Sequence, residues 1–191
     1  MPDPNPAAMD FLLNRRSRPA KTLGTPVPDR SALRLILTAG ARTPDHGKLE
    51  PWRFIVLEKP ALSKLSHRVA ERGAALEIDT DKLEKLRRQF ADADLVVVVV
   101  ASPKPSPKVP QIEQLLSAGA VCLSLLNAAL ASGWGANWLT GWVAHDRGFL
   151  GNLGLSDGES VAGFIHIGTE SSAPPERPRP DVDAITTWSI G

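Results

Sequence analysis

Between Gln114 and Ala144 the chain runs 31 residues without a charged side chain. The pattern predicts a helix from about Pro110 to Ser132, stopped by Gly133, and this helix is apolar nearly all the way round. Such a helix must lie in a membrane, at the centre of a soluble domain, or against another subunit. The stretch also holds Ser117, Gly119, Ser124, Asn127, Ser132, Gly133, Gly135, Asn137 and Gly141. Its Gly-Trp-Gly interruption leaves only about 18 helix-compatible apolar residues, so no membrane span is expected. A buried central helix and an intimate homodimer are.

Leu95 to Ala101 is apolar on both alternating faces, as a central strand covered on both sides requires. Arg53 to Glu58, bounded by Pro51 and Pro60, reads as a second strand, with Ala136 to Leu139 and Val161 to Gly168 as two more. Helix-start chemistry at Pro28-Asp29-Arg30-Ser31 opens a helix whose Leu33, Ile36 and Leu37 form one stripe, ending near Gly40. Two charge-rich helices, about 61–72 and 79–90, are expected to be linked through Gly73 and to present solvated outer faces. A short helix is expected at 146–153. Residues 1–8, with three prolines, read as a disordered tail, with folding beginning near Met9. Past the proline-rich segment 173–180, Val182, Ile185, Trp188 and Ile190 make the C-terminal extension too apolar to hang free. It is expected to pack on the body or on a partner. No repeat and no linker divides 9–191, which reads as one α+β domain, long enough to form a core without disulfides or metals.

Twenty-two Lys and Arg against 21 Asp and Glu give a formal charge of +1. That offers no broad field for nucleic acid or anionic lipid, so any basic site must be local. Cys122 is the only cysteine, and the N-terminus lacks the pattern of a secretory signal, so the cytoplasm is the expected location. His46, His67, His145 and His166 show no paired ligand spacing, and no metal centre is expected. Gly154-Leu155-Ser156-Asp157-Gly158 matches a hydrolase elbow, but that motif needs a strand before it and a helix after. Here the order is reversed. Gly133-Trp134-Gly135 has Trp138 where a dinucleotide-binding motif needs its third glycine.

From Asn14 to Lys21, four cations and one hydroxyl fall within eight residues. Guanidiniums grip phosphate oxygens through paired charge-assisted bonds, and a serine adds a neutral donor. The spacing alone leaves open a phosphate cradle or a solvated basic turn. No aromatic residue interleaves with the cations, which argues against a nucleic-acid arm. Trp52, Trp134, Trp138 and Trp142 can equally serve core, interface or ligand.

Leu12-Leu13-Asn14-Arg15-Arg16-Ser17 resembles the Arg-Arg-Ser signature that opens the FMN-dependent nitroreductase family. Ala39 to Phe54, with Pro44-Asp45-His46 before Glu50-Pro51-Trp52, resembles that family's segment after the second helix, in a small subgroup of it. Gly133 to Gly141 and Gly163 to Gly168 follow in the family's order. The resemblance covers about residues 9–185. It implies a nitroreductase-like α+β fold, a central mixed or antiparallel sheet flanked by helices. It further implies a homodimer with FMN at the subunit interface, reduced by NADH or NADPH. By position, Arg15, Arg16 and Ser17 would hold the ribityl phosphate and one flavin edge. Arg42 and His46 would reach the flavin from the partner subunit. Trp138, Leu139 and Thr140 would line the ring with backbone groups. Arg179, or Arg177 beside it, would supply a late phosphate contact. One departure is Pro19, where the family commonly has Lys or Arg, which leaves Arg18, Lys21 or Arg42 to bring a cation to the flavin N1/O2 edge. The implied activity is NAD(P)H-dependent reduction of small electron-poor acceptors, nitroaromatics or quinones, by ping-pong exchange. The chemistry would be carried by the flavin rather than by a catalytic side chain. A flavin store without turnover is the alternative, and a phosphate-binding regulatory domain a third.

Overall fold

A computed structural model describes residues 3–189; Ile190 of the C-terminal extension lies outside them. The sheet has five strands: β1 (Leu23–Gly24), β2 (Trp52–Glu58), β3 (Leu95–Ala101), β4 (Gly135–Leu139) and β5 (Ser160–Glu170). β3 sits between β2 and β5, and β5 also pairs with β4 and β1. Every pairing is antiparallel. β1 is two residues long and carries no periodic signal, so only its pairing with the end of β5 identifies it.

The alternation along β3 builds two cores. Val96, Val98 and Val100 face one layer with Leu62, Val69, Phe90, Phe149 and Phe164. Leu95, Val97 and Val99 face the other with Leu33, Ile36, Val121 and Leu125. All seven β3 residues are buried, and each Val hidden this way contributes about 1.5–3 kcal/mol. On the first face lie α3 (Lys59–Ala75), α4 (Thr80–Ala91) and the single turn α6 (Arg147–Leu150); on the second, α2 (Arg30–Gly40) and α5 (Gln111–Ala131).

Local chemistry sets the helix ends. Asp29 accepts the Ala32 N–H at 2.8 Å and starts α2. The expected tail is shorter than the sequence suggested, because α1 spans Pro6–Asn14. Asn5 accepts the Ala8 N–H at 3.1 Å, and Pro6 is a residue that suits a first turn. Gly73 is not a linker. It lies inside α3 where a Cβ would collide with Leu83 of α4, so its lack of a side chain lets the two helices close up. The chain breaks instead after Ala75, with Glu77 at φ 53°.

A clamp outside the core ties β2 to the start of β5. Arg53 donates to both Glu159 oxygens, at 2.7 and 2.8 Å, and Glu159 also accepts the Ser156 N–H. Arg53's hydrogen bonds, reinforced by the Ser156 N–H and opposed by burial, hold the Glu159 carboxyl down to about 2. A depressed carboxyl contributes stability that is full above its ordinary value of 4.5 and is lost as pH falls toward about 2. Glu159→Gln is expected to cost about 1–3 kcal/mol at neutral pH, between the figures for exposed and buried pairs, since Arg53 is partly solvated. Urea midpoints measured from about pH 6 down to about pH 2 should fall more steeply in the wild type, so that the two curves converge.

Candidate functional site

Arg15 follows α1 directly, its N–H bonding Phe11 O at 2.7 Å. That turn brings Arg15, Arg16 and Ser17 together, with Arg15 Nη2 donating to Ser17 Oγ at 3.0 Å. The C-terminal segment returns to the same place. Arg179 Nη2 donates to the Arg15 carbonyl at 3.4 Å, and Arg16 Nη2 to Pro175 O at 3.5 Å. Three carboxylates are near: Glu176, 2.9 Å from Arg179, and Asp10 and Glu170, which line a cavity beside the arginines, Glu170 paired with Arg18. Burial, then the charges of Arg179 and Arg16, push the Arg15 guanidinium below its usual pKa. Among the described residues, the Nε–H groups of Arg15 and Arg16 are buried without a partner. Buried donors left unpaired cost about 1–3 kcal/mol each, and crowded guanidiniums repel. A phosphate would answer both, being a compact dianion whose oxygens accept several charge-assisted bonds. The residues present therefore fit the phosphate end of FMN.

The basic loop is fastened to β4. Arg18 N–H donates to Ala136 O at 2.8 Å, Asn137 Nδ2 to Arg18 O at 2.5 Å, and Arg18 Nε pairs with Glu170 at 3.2 Å. Two cavities result. One, of about 430 Å³, lies among Arg15, Arg16, Arg18, Trp134, Gly135 and Glu170. The other, of about 450 Å³, lies between Pro19–Lys21, β4 at Asn137 and Leu139, and α4. Trp138 is partly exposed, donates Nε1–H to Ala162 O at 3.2 Å, and covers Gly163, where any Cβ would strike its ring. Leu139 is half-buried and Thr140 exposed beside it.

Arg42 and His46 lie elsewhere. Their loop follows α2 and is laid along α5: Thr43 Oγ1 is 2.9 Å from both Gly40 O and Ser124 Oγ, and Ser117 Oγ donates to Pro44 O at 2.8 Å. His46 Nδ1 meets Glu113 at 2.7 Å, with both side chains exposed. Among the described residues, no hydrogen bond or ion pair joins Arg42 or His46 to Arg15–Ser17, Leu139 or Arg179. Beside this loop, Ile112, Leu116 and Leu123 leave α5 apolar and exposed, Leu116 at 66%. The opposite face of α5 is buried against the sheet and α2. The helix, apolar nearly all round, is thus buried along one side within this chain and leaves the other side apolar and open.

The remaining motifs have structural settings. His166 is a core residue beside Phe90, and burial pushes its pKa down to about 4. Ser156 occupies the turn before β5 and donates its backbone N–H to Glu159. Burial pushes the Cys122 thiol up to about 12. Among the described residues, no group of three His, Cys, Asp or Glu side chains is placed to hold a metal. Sequence reasoning passed over Glu170, which anchors Arg18, and the α4 residues Lys85, Arg88 and Gln89, which line the second cavity. Their spacing was the available signal, since positions 85, 88 and 89 share one helical face.

The antiparallel sheet between helical layers and the arginine-lined loop on β4 together describe one class of protein. The chain belongs to the nitroreductase family, whose sequence profile matches residues 12–169. It is 36% identical over 163 residues to the Escherichia coli K12 protein named "Putative NAD(P)H nitroreductase YdjA", covering 85% of this chain and 87% of that one. Its fold matches the crystal structure of a nitroreductase-like protein from Bacillus cereus, with a TM-score of 0.81, 21% identity and full coverage of both chains. It also matches a Bacteroides fragilis nitroreductase with bound FMN, with a TM-score of 0.73 and 21% identity, covering 97% of this chain and 100% of that one.

Proposed function

We propose that this protein is a cytoplasmic, homodimeric, FMN-dependent oxidoreductase that passes electrons from NADH or NADPH to small electron-poor acceptors such as nitroaromatics or quinones. The observation that carries the proposal is the cluster of Arg15, Arg16 and Arg179, with two buried donors lacking acceptors beside a cavity on β4. The name of the Escherichia coli relative and the FMN in the Bacteroides fragilis structure support the same reading. When bound, FMN supplies the redox chemistry, accepting hydride from nicotinamide and handing electrons on.

The protein's residues bind and orient. Arg15, Arg16, Ser17 and Arg179 hold the phosphate, and the Trp138-Leu139-Thr140 backbone aligns the ring. Arg42 and His46 complete the site from the second copy, consistent with a loop that lies along the exposed stripe of α5 rather than against its own chain's arginines. A site that leaves room for one small molecule at a time would take donor and acceptor in turn, the arrangement that would give ping-pong kinetics.

The purified protein is expected to show an oxidised-flavin spectrum, after incubation with FMN if not before, and to bleach when NADH or NADPH is added under nitrogen. Double-reciprocal plots against nitrofurazone or a quinone should be parallel. A protein that stays colourless with FMN would overturn the proposal. Bound FMN that neither nicotinamide reduces would replace the enzyme with a flavin store.

A further inference from the structure

We infer that Glu170 holds a hydroxyl of the ribityl chain of FMN, so that the cavity beside the arginines is built for the phosphate ester of a polyol and not for a bare phosphate. This rests on the reading above that Arg15 and Arg16 grip the phosphate of FMN. Three side-chain atoms on residues lining this cavity are buried without a partner among the described residues. Arg15 Nε and Arg16 Nε donate, and Glu170 Oε1, as part of a carboxylate, only accepts. A ligand that answers all three must bring acceptors to the arginines and a donor to Glu170.

The Glu170 carboxylate is held from two sides. Its residue closes β5, where it pairs with Leu23 of β1, and its other oxygen, Oε2, lies 3.2 Å from Arg18 Nε. Arg18 is itself fastened to β4 by its N–H on Ala136 O. Gly135 makes room for this crossing. A Cβ there would collide with Leu23 and come within 3.4 Å of the Glu170 Cβ. The cavity's second carboxylate, Asp10, is already engaged, since its Oδ1 accepts from Asn14 Nδ2 at 2.8 Å. Glu170 Oε1 is the acceptor left for a ligand.

A bare phosphate satisfies only part of this wall. Its oxygens answer the arginines, but its charge then faces a carboxylate at short range, where like charges repel. A hydroxyl answers Glu170 with a charge-assisted bond and adds no charge of its own. Ribityl phosphate carries both groups on one chain, its secondary hydroxyls lying between phosphate and ring. Glu170 thereby sets the direction in which that chain runs, with the phosphate at Arg15 and Arg16 and the hydroxyls toward Arg18 and β4.

The test titrates FMN, and FMN analogues each lacking one ribityl hydroxyl, against the wild type and Glu170→Ala, read by flavin fluorescence. The wild type is expected to bind one of the deoxy analogues about tenfold more weakly than FMN. That is the low end for a hydrogen bond to a charged group, since the Glu170 side chain is 22% exposed. Glu170→Ala should bind FMN about tenfold more weakly and no longer tell FMN from that analogue, because the two changes remove one and the same bond. Inorganic phosphate, followed by calorimetry on the flavin-free proteins, should move the other way and bind the variant about fivefold more tightly. A role confined to folding would lower both affinities together with the melting temperature, and that result would overturn the inference. Deoxy analogues that all bind the wild type as tightly as FMN, or a variant that still distinguishes them, would overturn it too and leave the arginine grip standing. A wild type that binds inorganic phosphate but no FMN would remove the flavin reading and the inference with it.

Discussion

Arg16→Ala is expected to weaken FMN binding about 10- to 150-fold, the equivalent of about 1.5–3 kcal/mol for hydrogen bonds to a charged group. The flavin-free protein should melt no lower than the wild type. These two effects have opposite causes in the same cluster. In the free protein Arg16 presses against Arg15 and keeps a buried Nε–H unpaired, so its removal relieves repulsion and an unmet donor. In the complex the guanidinium grips the phosphate, and its loss is felt in full. FMN at about 100 times its dissociation constant should stabilise the wild type by about 2.7 kcal/mol, and the same concentration should stabilise the variant far less. Fluorescence titration of FMN and thermal melts with and without it give both numbers. Unchanged affinity with unchanged melting would remove Arg16 from the site.

Leu116→Asp should separate the subunits and empty the flavin site together. Leu116 is 66% exposed on α5, in a stripe with Ile112 and Leu123. In a two-fold interface each substitution counts twice, once per subunit. Burying two unpaired carboxylates at about 2–3 kcal/mol each would raise the dimer dissociation constant about 10³- to 10⁴-fold. FMN should leave with the partner, because Arg42 and His46 then have no second chain on which to act. Leu35→Asp, at an exposed position on α2, is the control expected to change neither property. Sedimentation velocity followed by an absorption spectrum of each peak decides the matter. A wild-type monomer, or a variant that stays dimeric and yellow, would refute the assembly.

Most of the fold was legible because its signals are periodic. The apolar run Leu95–Ala101 marked the central strand, and the uncharged stretch marked α5, since no alternation or stripe satisfies either without cover on both faces or a second subunit. What escaped were features set by tertiary partners. β1 exists only because the end of β5 passes Leu23 and Gly24. Gly73 looked like a break but marks the close approach of α3 and α4, which depends on where Leu83 lies. The family motifs named Arg15, Arg16, Ser17 and Arg179, and the fold brings these four together. They could not show that the mixed charges of α4, read as a solvated surface, turn Lys85 and Gln89 toward β4. Charge composition alone does not tell a wet helix face from a cavity wall.

The hydroxyls of Ser117 and Ser124 have a consequence at the level of descent. They hold the 42–46 loop to the same helix that carries the apolar stripe, so in the proposed dimer the groups lent to a sister subunit and the surface that chooses the sister would be inherited as one trait. A duplicated gene whose stripe drifted would lose in one step both its old mate and the residues that mate supplied. Related reductases sharing a cell would thereby be kept from forming mixed pairs.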